Sequence, residues 1–100
     1  MPDRFIRIVS LWTHPGKEAA FDAYERAAAR IMAKHGGRID LAMRPENVAD
    51  APFEVHLVSF PDREAAADYA RDPETLLLRE GRESIISRTD IIEGVEAGPY

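Results

Sequence analysis

The residues best suited to move a proton or hold an anion fall on two short apolar runs. Glu54 and His56 stand two apart in Phe53 to Phe60, and Arg7 lies inside Arg4 to Trp12. Side chains alternate between faces along an extended chain, so Glu54 and His56 share a face, as do Arg7, Val9 and Leu11. A carboxylate beside an imidazole orients the ring, and a guanidinium binds a carboxylate or enolate oxygen. Brought together in an apolar cavity, His56 would be a general base or proton shuttle, Glu54 its orienter and Arg7 the anion-binding group. The same three side chains would also make a buried ion-pair network with no chemistry of its own.

Four further residues are candidates to frame a ligand: Trp12 and His14 at the end of the first run, Tyr24 on a helical stripe, and Phe60 at the end of the later run. His35 is accounted for by its place at a helix C-terminus, where a partly cationic ring is favoured. No metal site is expected, because there is no cysteine and His14, His35 and His56 are far apart with no H-x-x-x-H spacing. The serines lack a nucleophile-elbow context, and Gly36-Gly37 follows a helix instead of opening one, so neither acyl-enzyme chemistry nor a phosphate loop is indicated. No cofactor is expected.

Elements that would position these residues follow from periodicity. Arg4 to Trp12 reads as a strand with Phe5, Val9 and Leu11 on one side and Ile6, Ile8 and Trp12 on the other. Thr13-His14-Pro15-Gly16 breaks it. Lys17 to His35 carries Ala20, Phe21, Tyr24, Ala28 and Ile31 on a helical stripe that Gly36-Gly37 ends. Arg38 to Arg44 alternates as a second strand, Pro45 to Pro52 is a loop, and Phe53 to Phe60 is a third strand. Asp62 is a plausible N-cap for a short helix that should falter near Pro73, with a further turn or two over Glu74 to Arg82. Ile85 to Glu93 closes the pattern as a strand, ahead of a tail from Gly94 to Tyr100.

The order β-α-β-β-α-β predicts an α+β, ferredoxin-like fold: a four-stranded antiparallel sheet with both helices on one face. The first strand is apolar on both faces, and helices cover only one. Two such sheets are therefore expected to pair face to face as a homodimer, a dimeric α/β barrel. If Ile6, Ile8, Val55 and Leu57 face the helices, then Arg7, Glu54, His56, Val58 and Phe60 face the partner. Arg88 and Asp90 either extend that polar cluster or serve as edge-strand charges.

Length and charge bound what remains. One hundred residues and 11.2 kDa leave room for a single domain over 1–100. A net charge of −5 with scattered basic residues argues against nucleic acid. The absence of a signal-peptide or spanning apolar segment argues against a membrane and makes the cytoplasm the default location.

The chain resembles the dimeric α/β-barrel proteins, and among them the DUF1330 family, through Pro15-Gly16-Lys17-Glu18-Ala19-Ala20-Phe21 with Tyr24 following and through Glu54 to Ala66. Tyr69, Asp72-Pro73-Glu74, Leu76 and Arg79 add to the likeness, whereas Glu74-Thr75-Leu76-Leu77-Leu78 departs from it after Asp72-Pro73. The Pro-Gly turn and the apolar strand before a short helix also resemble the antibiotic-biosynthesis monooxygenases. The resemblance implies a barrel-shaped dimer with one pocket per subunit and names no reaction. Two functions are compatible with it: a cofactor-independent oxygenase or isomerase acting on a small organic molecule, and a non-enzymatic dimer that binds a small organic ligand or serves as an accessory protein.

Overall fold

A computed structural model describes residues 3–100. Its elements are β1 (Phe5–Thr13), α1 (Glu18–Lys34), β2 (Arg38–Met43), β3 (Glu54–Phe60), α2 (Arg63–Arg71), α3 (Pro73–Arg79) and β4 (Ile86–Val95), with a 3-10 turn over Arg82–Ser84. The strands form one antiparallel sheet in the order β2-β3-β1-β4, the ferredoxin-like arrangement, so β1 and β3 are the central neighbours. Pro73 does not merely end α2. It occupies the first turn of α3, where its missing N–H costs nothing. β4 also runs two residues past Glu93, pairing Gly94 with Ile6 and Val95 with Phe5.

The helices pack on one face of the sheet. Phe5, Val58 and Phe60 meet Ile31, Met32, Ala66 and Tyr69 in one apolar cluster, and Leu11 meets Phe21, Tyr24 and Ile86 in a second. This reverses the expected orientation of the strands. Arg7, Glu54, His56, Val58 and Phe60 face the helices of their own chain, while Ile6, Ile8, Val55 and Leu57 lie half-buried on the uncovered face. The reason is volume. Phe5 and Phe60, paired across the central strands, offer the helices more apolar bulk than Ile6 and Ile8 do. The charged groups on that face are tolerated because each finds a partner there: Arg7 in Glu93, Glu54 in Arg44 and His56.

Two junctions hold the helices in place, the first against the sheet and the second against one another. α1 ends with the Gly36 N–H donating to Ala33 and the Gly37 N–H to Met32, with Gly36 at φ +71°. Gly37 then passes so close to the Phe60 ring that a Cβ there would overlap it. At the other junction, Asp72 caps α3 by accepting from the Glu74 N–H at 2.9 Å and pairs with Lys34 and His35, both at 2.8 Å. The Lys34 ammonium first, then His35 and the Glu74 N–H, hold the Asp72 carboxyl well below the usual carboxylate range. A carboxyl depressed in the folded state adds stability above its unfolded value near 3.8 and loses it as pH falls further. Asp72→Asn keeps the cap but not the charge, so thermal denaturation should show it less stable than the parent at pH 7, with the gap intact down to about pH 4 and narrowing only as pH falls below 3.8.

Candidate functional site

Alternation along β3 and the register of β1 place His56 beneath α1, opposite Val9, with Glu54 one pleat further along opposite Leu11. His56 is 3% exposed and therefore needs polar partners. It has two. Nε2 is hydrogen-bonded to Glu54 Oε2, and Nδ1 lies 3.8 Å from Glu25 Oε2 on α1. Glu54 is held from its other side by Arg44, whose Nε donates to Oε1 at 3.0 Å, and Arg44 is fixed by Asp22 and the Phe53 ring. The result is a line of groups, Arg44–Glu54–His56–Glu25, crossing from the edge of the sheet to the underside of α1.

His56 and Glu25 separate two hollows. The inner one, about 120 Å³, lies between the sheet and the helices. Val9, Val58, Phe60 and Met32 supply its apolar wall, and Arg7, Arg79, Arg82, Tyr24 and Tyr69 its polar groups. The outer one, an open cleft of about 330 Å³, runs past Asp22, Arg26, Arg44 and Glu54. The inner volume is near the size at which an apolar cavity holds a benzene-sized molecule, about 150 Å³.

The predicted site residues are distributed unequally. Glu54 and His56 are in contact, and Tyr24, Phe60 and Arg7 line the inner cavity. Arg7 is not joined to Glu54; its Nε donates to Glu93 on β4 at 2.7 Å. The cluster lies inside one chain and not between two, because its face is the helix-covered one. Trp12 points to the uncovered face, where its indole N–H donates to the Asp50 carbonyl at 3.1 Å beneath the Arg88 guanidinium. Arg88 pairs with Asp90 on β4, an edge strand, away from Arg7. His14 sits outside the cavity with Nε2 2.9 Å from the Glu83 carbonyl oxygen.

Glu25, Tyr69, Arg79 and Arg82 were not singled out as site residues. Glu25 had a signal: four residues after Phe21 and three before Ala28, it falls on the buried stripe of α1. Burial first raises its carboxyl above the usual value, and the neighbouring His56 and then Arg82 only partly oppose this. Burial likewise raises the phenols of Tyr24 and Tyr69, against Arg82 at the first and Arg79 at the second. A raised carboxyl contributes stability below its unfolded value near 4.5 and loses it as pH rises through the folded value. Glu25→Gln is therefore expected to melt above the parent protein at pH 8, with the difference vanishing as pH falls toward 4.5. Among the described residues no group of three or more His, Cys, Asp or Glu is arranged to hold a metal ion, and no helix is long and apolar enough to cross a membrane.

The model of a family described as a domain of unknown function, DUF1330, matches residues 8–95. A protein of unknown function from Rhodopseudomonas palustris has a similar structure, with TM-score 0.82 at 16% identity over 99% of this chain and 86% of that one. A provisionally assigned antibiotic biosynthesis monooxygenase from Nitrosomonas europaea superposes with TM-score 0.71 at 19% identity, covering 100% and 94% of the two chains. A DABB-family protein with a ferredoxin-like fold from Mesorhizobium loti gives 0.70 at 17%, covering 96% and 99%. No curated protein matches the chain in sequence.

Proposed function

This chain belongs to the DUF1330 family, and from its site we propose that it is a cofactor-independent oxygenase or isomerase whose first step takes a proton from a small organic molecule held in the inner cavity. The observation that carries the reading is the line Glu54–His56–Glu25, whose His56 and Glu25 line that cavity. With Nε2–H donating to Glu54, His56 presents the lone pair of Nδ1 toward Glu25 and the cavity. Glu54 is the positioning residue. The substrate C–H bond breaks, its proton passes to His56, and its electron pair moves into an enolate whose oxygen the Arg7 guanidinium stabilises. Glu25, a carboxyl that burial keeps prone to protonation, passes the proton on or returns it.

The assembly belongs to the same reading. Leu41, Met43 and Ile92 are more than half exposed and share the uncovered face with Ile6, Ile8 and Leu57. A second copy laid sheet to sheet would cover them, giving a homodimer working in the cytoplasm. Each inner cavity lies within its own chain, so the chemistry does not wait on that pairing.

The test is hydrogen exchange. Small enolisable carbonyl compounds are incubated with the protein in D₂O, and loss of the α-proton signal is followed by NMR. At least one compound should exchange faster than in buffer, and Glu25→Gln or His56→Gln should remove the excess. No accelerated exchange across the panel would leave the non-enzymatic ligand-binding reading in its place.

A further inference from the structure

The inner cavity carries more positive charge than its surroundings account for. In a chain of net charge −5, three guanidiniums line it, Arg7, Arg79 and Arg82, against one carboxyl, Glu25. Arg7 is neutralised by Glu93 at 2.7 Å. Arg38, Arg44, Arg71 and Arg88 also have carboxylate partners. Among the described residues Arg79 and Arg82 form no ion pair, as Arg4, Arg26, Arg30 and Arg63 elsewhere also form none, but these two line the cavity, where Arg82 acts on Glu25 only through its charge.

Both are nevertheless held in place. Arg82 is half-buried, and its Nη2 donates to Thr89 Oγ1 on β4. Arg79, at the exposed mouth, lies with its guanidinium 5.9 Å from the Tyr69 ring centre. Directed guanidiniums in no ion pair, above an apolar wall of Val9, Val58 and Met32, present an anion-binding end and a hydrocarbon-binding floor.

We propose that Arg82, assisted by Arg79, forms a carboxylate subsite, so that the molecule the cavity takes is a small organic monocarboxylate whose carbon chain lies over Val9 and Val58. The planar fork of a guanidinium matches the two oxygens of a carboxylate, and about 120 Å³ admits only a short chain or a single ring. The subsite rests on the acid–base reading for what happens to the ligand, not for its binding.

The experiment titrates the full chain with sodium butyrate, butyramide and inorganic phosphate, following methyl and amide NMR shifts. Butyrate should saturate and bind at least tenfold tighter than butyramide, and phosphate should not displace it at equal concentration. Arg82→Gln should weaken butyrate about tenfold or more, as expected for a charge-assisted hydrogen bond, and Arg79→Gln less because it is exposed. If Arg82→Gln is poorly folded by circular dichroism, Arg82→Lys keeps the charge without the fork and should weaken butyrate severalfold.

Equal binding of butyramide, displacement by phosphate, or unchanged affinity in the folded Arg82 variant would overturn the subsite. Butyrate binding without proton exchange in any compound would overturn the acid–base reading alone. Exchange of neutral carbonyl compounds with no preference for carboxylates would overturn the subsite alone.

Discussion

Replacing His56 by Gln is expected to slow the proposed protein-dependent proton exchange by about 10²- to 10⁴-fold, the usual contribution of a positioned general base. Gln is chosen because it keeps a donor and an acceptor near the two carboxylates but cannot take up a proton. His56→Ala would instead leave Glu54 and Glu25 facing a void, and any loss of rate would be mixed with loss of stability. Glu54→Gln tests the positioning role separately. The imidazole remains while its carboxylate partner becomes neutral, so the rate should fall less and its dependence on pH should shift. A His56→Gln protein that exchanges substrate protons at the parental rate would remove His56 from the reaction and reduce the buried line to an ion-pair network.

Why the line was only half apparent from the residues has a geometric answer. Period-two alternation states which side chains share a face but not which face meets the helices. β1 is apolar on both sides, so Phe5, Val9 and Leu11 or Ile6, Ile8 and Trp12 could each have met them. The order of elements and the Asp62 cap, which accepts from the Ala65 N–H at 2.8 Å, follow from local pattern, and the central pairing of β1 with β3 follows from the topology that this order implies. The choice of face depends on Phe21, Tyr24, Ile31 and Met32 arriving from α1, a tertiary event. Arg79 and Arg82 were harder still. They sit at the end of α3 and in a 3-10 turn, where no periodicity announces direction, and only folding of that segment against β4 brings them to the cavity.

Phe60→Ala is expected to cost about 3–5 kcal/mol, a large share of the about 5–15 kcal/mol that holds a domain folded. The ring is 1% exposed, packs 5.6 Å from the Tyr69 ring centre and walls the inner cavity. Urea denaturation should show the loss as a lower midpoint with an unchanged slope. The same deletion opens the cavity floor, so the variant should accept carboxylates with more than one ring that the parent excludes. A loss below about 1 kcal/mol would mean that the ring neither anchors the core nor bounds the site. Gly37 supplies an independent check on the same contact. Its backbone is free of positive φ, so what excludes a side chain there is the Phe60 ring itself. Gly37→Ala should therefore destabilise the parent by about 1–3 kcal/mol through overpacking, and much less once the ring is gone. Strong non-additivity in that double-mutant cycle would tie the end of α1, the floor of the cavity and the stability of the fold to a single side chain.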